Sequence, residues 1–213
     1  MSRTGELGPS GVSAILVEDG SKGLSFGKNE DKMGWKAQPT RSVILDNCFS
    51  PSLNLVGDEG KGFSYAMAGL DGGRINIAAA ALGGAQEAFE IAKKYSMERM
   101  AFSKPISSFQ SVQFKLADLE IKLESARTLL YKAAWKLDKK DTDSTKFCAL
   151  AKKFVTDNAF EVSNSALQIL GGYGYLTEYK IEKIVRDLRV HQILEGTNEI
   201  MQLIIARHIL SET

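Results

Sequence analysis

The segment His191-Gln-Ile-Leu-Glu195-Gly196-Thr197-Asn198-Glu199 sets a carboxylate directly before a Gly-Thr step, ahead of the apolar run Ile200, Leu203 and Ile204. The pattern predicts a helix start with Thr197 as its N-cap. A carboxylate there is either an acidic residue favoured by the helix dipole or a general base on a rigid element facing a pocket. In the second case, backbone N–H groups at the helix start are free to bind an anion or a carbonyl. The densest glycine cluster is Gln168-Ile169-Leu170-Gly171-Gly172-Tyr-Gly174-Tyr175. It reads as a helix C-cap and turn, or as backbone stripped of side chains so that a ligand can approach. No Lys-Ser/Thr follows it in phosphate-loop register. Arg99-Met100-Ala101-Phe102-Ser-Lys-Pro105-Ile106 is a solvated loop, or an Arg fork for phosphate with Phe102 stacked beside it. Asp71 and Arg74 stand at i,i+3 helical spacing. His191 and His208 lack partners at metal-ligand spacing, so no metal site is expected. No Ser or Cys sits in a nucleophile motif.

These residues need long helices to position them. Residues 11–50 read as β, with strands at Val12–Val17, Leu24–Phe26 and Ser42–Leu45. The first of these has nothing obvious before it to pair with, which suggests a chain that starts inside a domain. From about Gly60 the period becomes helical: Phe63, Met67, Leu70, Ile75, Ala78, Ala81, Leu82, Ala85, Phe89 and Ala92. Gly72-Gly73 should weaken that helix locally, by roughly 1 kcal/mol per Gly against Ala. Val112, Leu116, Leu119, Leu123, Ala126, Leu130, Ala133 and Leu137 form a heptad seam, predicting one unbroken helix with that face buried. Asp138 to Thr142 is a polar hinge. A third helix follows, with Leu150, Ala151, Phe154, Val155, Ala159, Val162, Ala166 and Ile169 inward, stopping at Gly171-Gly172. Shorter helices are expected at about 178–193 and 197–211. Helices with short connections predict an antiparallel four-helix bundle.

Composition narrows the function classes. The chain has 213 residues, 27 Lys+Arg against 26 Asp+Glu, and 44% hydrophobic residues. A net charge of +1 offers no field for nucleic acid or an anionic membrane. No apolar run reaches the ~18–20 residues needed to cross a bilayer. Cys48 and Cys148 lack metal spacing and read as free thiols.

Together the clusters carry a resemblance. Lys32-Met-Gly-Trp35, Pro39-Thr-Arg41, Asp58-Glu-Gly-Lys-Gly62, Gly73-Arg74-Ile75, Arg99-x-x-Phe102-x-Lys-Pro-Ile106, Gln168-Ile-Leu-Gly-Gly-Tyr-Gly174, Arg186-Asp187 and Glu195-Gly-Thr197 occur in family order over nearly the whole chain. The chain resembles the carboxyl-terminal half of an acyl-CoA dehydrogenase. The fold implied is mainly α: a C-terminal four-helix-bundle domain at residues 56–213, preceded at 1–55 by a truncated fragment of the middle β-barrel domain. Within the family, Gly34-Trp35-Lys-Ala-Gln38-Pro39-Thr40, Gly72-Gly-Arg-Ile-Asn-Ile-Ala78 and His191-Gln-Ile-Leu-Glu-Gly look most like members that oxidise a short branched acyl-CoA in valine breakdown.

The resemblance implies flavin-dependent α,β-dehydrogenation of an acyl-CoA thioester, with Glu195 as the base. Some members place the base one residue before the Arg matching Arg74, but Gly73 stands there. The FAD contacts implied are Arg99, Met100, Ala101, Phe109, Gln110, Thr145, Gln168, Ile169, Leu170, Gly171, Gly172, Thr197, Asn198 and Glu199. Asp71, Arg74 and Gly196 are implied at the substrate. Electron transfer flavoprotein is the implied electron acceptor, the mitochondrial matrix the implied location, and a homotetramer built as a dimer of dimers the implied assembly. Arg99 and Gln168 are expected on different subunits' shares of one FAD site. Ala101 and Ser103 depart from the usual Arg-x-Gln/Thr-Phe-Gly and imply weaker FAD binding. Without the family's amino-terminal half, this 213-residue piece is not expected to turn over. An acyl-CoA oxidase, which shares the fold, and a non-enzymatic helical assembly module are the alternatives.

Overall fold

The computed structural model describes residues 1–211. Two compact units result, one of residues 1–32 and 36–70, the other of residues 33–35 and 71 onward.

The first unit carries five short strands: β1 (Ser2–Arg3), β2 (Val12–Ile15), β3 (Leu24–Phe26), β4 (Val43–Leu45) and β5 (Leu55–Val56). β2 pairs antiparallel with β1, Ser13 opposite Ser2, and with β5, Ala14 opposite Val56. The apolar run at residue 12 therefore does have a partner before it. Two residues are too few to leave a periodic trace in sequence. β3 and β4 form a hairpin whose Val43, Ile44 and Leu45 remain exposed. Ser13 is fully buried, and its hydroxyl shares a 2.6 Å hydrogen bond with that of Thr4 and accepts one from the Gly60 N–H. A Cβ at Gly62 would lie 2.5 Å from the Ser13 carbonyl carbon, so only glycine fits there.

Helix α1 (Gly62–Glu98) runs unbroken through Gly72-Gly73. Phe63 and Met67 fall on it as their spacing predicts but are exposed, whereas Ala78, Ala81, Leu82, Ala85, Phe89 and Ala92 are buried. A hairpin follows, β6 (Met100–Ala101) with β7 (Lys104–Pro105), where the sequence suggests only a loop. Its two turn residues, Phe102 and Ser103, both adopt positive φ, the geometry of a two-residue hairpin turn. Glycine is the easier residue in that conformation.

Helix α2 (Gln110–Asp138) is one unbroken element. Leu119, Leu123, Ala126, Leu130 and Ala133 of its seam are buried, and Val112, Leu116 and Leu137 are half-buried at its ends. The hinge is closed by Lys136, which bonds Asp141 at 3.1 Å and Asp143 at 2.7 Å. So short a link makes α3 (Ser144–Leu170) an antiparallel neighbour of α2. The expected inward residues Ala151, Val155, Ala159, Val162 and Ala166 of α3 are buried, and Leu150 and Ile169 are half-buried. The buried stripe also takes in Cys148, Lys152 and Leu170, while Phe154 is exposed, contrary to its inward assignment. α3 ends on Gly171 at φ 60°, a left-handed cap that glycine adopts without steric cost. The two expected short helices are present as α4 (Ile181–Arg189), shorter than expected and flanked by 3-10 turns at Thr177–Tyr179 and Val190–Gln192, and α5 (Asn198–Ser211). One core joins α1, α2, α3 and α4, and no helix among the described residues is long and apolar enough to cross a membrane.

Candidate functional site

The up-down-up order of α1, α2 and α3 gathers the predicted site residues into two groups at opposite ends of the bundle. α1 and α3 run the same way, so their N-terminal halves meet at one end and their C-termini at the other. Thr145 and Leu170 are separated along α3 by about 37 Å at 1.5 Å per residue.

At the first end, Glu195 sits half-buried in a turn where it and Gly196 have φ of 56° and 88°. Two consecutive left-handed residues fold the chain back, and for a glutamate that conformation is strained. The Glu195 carboxylate lies on the backbone of α1: a Cβ added to Gly73 would be 2.4 Å from Oε2 and 3.0 Å from Cδ. The glycine pair that should weaken the helix is therefore what lets the carboxylate reach it. The next residue, Arg74, is buried and its Nη1 donates to Asp71 Oδ1, one turn back, at 2.7 Å. Thr145 Oγ1 donates to Asp71 Oδ2 at 2.6 Å, tying α3 to α1. Arg74 Nε is buried with no hydrogen-bond partner among the described residues. Cys148 is buried nearby, and burial followed by the Asp71 charge pushes its thiol up to about 11, which leaves it inert.

Helix α5 begins as predicted, with Thr197 before it. Its carbonyl accepts the Met201 N–H, and its Oγ1 takes a long 3.4 Å bond from the Ile200 N–H. The Glu199 backbone N–H and the Thr197 hydroxyl hold the Glu199 carboxyl below the usual range. Asn198 is buried, its Nδ2 donating to Thr156 Oγ1 at 3.0 Å and to Asp157 Oδ1 at 2.7 Å. Burial pushes the Asp157 carboxyl up, but hydrogen bonds from Lys153, Gln192 and Asn198 outweigh it and hold it low.

Sequence reasoning missed Lys152, which is fully buried with its Nζ on Gly196 O and Asn198 Oδ1, both at 2.8 Å. Its signal was present, since a lysine in step with Cys148, Val155 and Ala159 stands on the inward stripe. His191 was set aside for lack of metal partners. It is 2% exposed, both ring nitrogens are unpartnered among the described residues, and Trp35 packs edge-on at 5.1 Å. Trp35 is held by its own N–H on Asp187 Oδ1 at 2.6 Å. Burial pushes the His191 imidazole down to about 4, well below its usual 6.5, with Asp187 opposing and Lys152 assisting. Between these values the unfolded chain binds the extra proton, so stability is full above pH 6.5 and falls as pH drops toward 4. His191→Phe is expected to flatten that decline, on the order of 3 kcal/mol at 1.36 kcal/mol per pKa unit. Thermal melts at pH 4.5 and 7 measure it, and an unchanged acid decline contradicts the assignment.

At the second end, Tyr95, Arg99, Ile106, Ile169, Leu170, Gly171, Gly172, Tyr173 and Leu176 line a cleft of about 450 Å³. The Arg99 guanidinium stacks over Tyr173 at 5.4 Å. Added Cβ atoms at Gly171 and Gly172 would meet nothing within 4 Å, so backbone is open to a ligand there. An aromatic wall, a guanidinium and bare backbone suit a phosphate- or ribose-bearing group. Met100 and Ala101 lie in the adjoining hairpin, and Phe109 and Gln110 open α2, where Phe102 packs edge-on to Phe109. Gln168 is exposed on the last turn of α3, outside the cleft lining. Arg99 and the 169–172 segment share one cleft of this chain, because α1 and α3 run in the same direction.

Residues 60–210 match the family model described as Acyl-CoA dehydrogenase, C-terminal domain. The chain is 48% identical over 212 residues to isobutyryl-CoA dehydrogenase, mitochondrial, of Bos taurus, covering 100% of this chain and 51% of that one. It is 47% identical over 200 residues to short-chain specific acyl-CoA dehydrogenase, mitochondrial, of Rattus norvegicus, covering 94% and 48%. The solved butyryl-CoA dehydrogenase of Megasphaera elsdenii superposes with a TM-score of 0.91 at 43% identity, over 95% of this chain and 53% of that one. The chain spans about half the length of the curated relatives it matches.

Proposed function

Because the chain belongs to the acyl-CoA dehydrogenase family, we propose that it carries the catalytic base and part of the FAD site of an enzyme that desaturates a short branched acyl-CoA. The observation that carries this reading is the Glu195 carboxylate lying on Gly73, where α1 has no side chain in the way. An α-proton of a thioester is weakly acidic, and its removal needs a carboxylate held at fixed distance and partly out of water. The Glu195 turn provides both. In this reading Glu195 takes the α-proton of the acyl group. Its backbone N–H, by family resemblance, donates to the thioester oxygen as charge develops there. Asp71 and Arg74 border the thioester channel, and their mutual bond keeps either charge from standing alone beside Glu195. The chemistry supplied by bound FAD is acceptance of the β-hydrogen as a hydride.

Arg99, Met100, Ala101, Phe109, Gln110 and residues 168–172 are read as contacts for the nucleotide end of FAD. Thr145 and residues 197–199 are read as contacts for its flavin end. The distance of about 37 Å along α3 supports assigning these groups to two different FAD molecules, hence to sites shared between copies in a homotetramer. Residues 1–55 are read as the end of a β domain and 56–213 as the helical bundle. Electron transfer flavoprotein is the proposed acceptor. The mitochondrial matrix is the proposed location, in keeping with the bovine relative's name.

Identities of 48% and 47% do not separate branched from straight substrates. The preference for a branched chain rests on the local matches around Gly34, Gly72 and His191. It is tested in the full-length protein by anaerobic bleaching of the flavin band with isobutyryl-CoA against butyryl-CoA. The reading expects kcat/KM at least ~10-fold higher for the branched substrate, the worth of about one well-placed methyl group. A reversed ranking assigns the chain to the straight short-chain members, and no bleaching by any acyl-CoA removes the enzymatic reading.

A further inference from the structure

Lys152 is a buried cation with no carboxylate bonded to it among the described residues. Its two acceptors are the Gly196 carbonyl and the Asn198 amide oxygen, which bracket Thr197 and follow Glu195 directly. Lysine is almost never fully buried unless paired, and a methionine would fill the same stripe without desolvating a charge. Stability is therefore a poor reason for its presence.

The geometry gives a better one. Gly196 O precedes α5 and finds in Nζ a donor that its left-handed turn does not supply. Because Asn198 Oδ1 faces Lys152, its Nδ2 must face Thr156 and Asp157, and Asp157 Oδ1 also accepts from Gln192 Nε2 at 2.7 Å. α3 thus grips the chain before Glu195, at Gln192, and after it, at Gly196 and Asn198. We propose that Lys152 is a positioning residue for the Glu195 turn, its buried ammonium holding the strained segment so that the carboxylate stays on Gly73. This rests on the reading of Glu195 as the base.

The charge that does this is poised to be lost. Burial pushes the ammonium down to about 8, opposed by Asp157 on its own helix, Glu199 on α5 and Glu195 in the turn, and assisted by Arg74 on α1. His191 faces it as a neutral ring. A neutral amine keeps two N–H groups but gives up the charge that makes both bonds strong.

The test compares Lys152→Met with wild type in the full-length protein, both FAD-loaded, by single-turnover flavin reduction from pH 6.5 to 9.5. Wild-type rates are expected to fall above about pH 8. Lys152→Met is expected to be ~10²-fold slower at pH 7, the cost of a roughly 1 Å misplacement. It should show no further fall above pH 8, and its KM for acyl-CoA should stay within about 3-fold. A rate near wild type, or an alkaline fall retained in Lys152→Met, overturns the proposal. Where Lys152→Met fails to fold, Asn198→Ala removes one acceptor only. It is expected to speed amide exchange at least ~10-fold across residues 193–200 of this chain and nowhere else in α3 or α5, the loss of one charged hydrogen bond. Unchanged exchange there overturns the proposal by itself. A wild-type protein bleached by no acyl-CoA defeats the reading of Glu195 as base, whereas the exchange result still reports on Lys152.

Discussion

Gly73→Ala is expected to leave the protein as stable as wild type, or more stable, while slowing flavin reduction about 10²-fold. The two effects have separate origins. In the interior of a long helix, alanine is favoured over glycine by about 1 kcal/mol, and the three nearest atoms to the new methyl group all belong to the Glu195 carboxylate. The end of a flexible side chain can move aside cheaply, so folding tolerates the change. Catalysis does not, because the atom that must move is the carboxylate oxygen 2.4 Å from the added carbon. Displacing it by an ångström removes it from the position the reaction needs. Melting temperature and stopped-flow reduction on the same sample separate the two quantities. A variant both stable and fully active would mean that the contact with Gly73 has no catalytic consequence.

Glu195→Gln is expected to cost more, ~10²–10⁴-fold, the usual worth of a positioned acid or base. Glutamine keeps the size and shape of the side chain in the turn and takes away only the proton acceptor. The loss should therefore fall on kcat with KM for acyl-CoA little changed, the signature of an interaction made only in the transition state. Glu199→Gln is the matched control. Glu199 is exposed at the first turn of α5, held by its own N–H and Thr197, and its loss should affect FAD retention more than chemistry.

Much of this arrangement could be read from residue order, and what escaped did so for identifiable reasons. The α2 seam was legible because seven-residue spacing on a long helix is unambiguous, and it is buried where other helices cover its middle. Most of the α3 stripe is legible too. A hydrophobicity pattern passes over Lys152 because it is charged and takes in Phe154 because it is apolar, whereas the acceptors of the turn after Glu195 draw Lys152 inward. The hairpin at Met100–Pro105 and the strand at Ser2–Arg3 are two-residue pairings, below the length at which alternation can be detected. Gly72-Gly73 shows how a local penalty misleads: the cost in helix propensity was read correctly, but its benefit lies 122 residues away in sequence, at Glu195. That Arg99 and the 169–172 segment share one cleft follows from the parallel course of α1 and α3. That course was already implied by an up-down-up bundle.

The central claim is that Glu195, lying on α1 at Gly73, removes the α-proton. Its most direct test uses the full-length protein, mixes FAD-loaded wild type and Glu195→Gln anaerobically with saturating isobutyryl-CoA, and follows one turnover of the flavin band. Wild type should bleach, and Glu195→Gln should bind acyl-CoA yet hold its flavin oxidised at least ~10²-fold longer. Bleaching of Glu195→Gln at near the wild-type rate would put the base elsewhere and contradict the account, since Gly73 has no side chain with which to replace it.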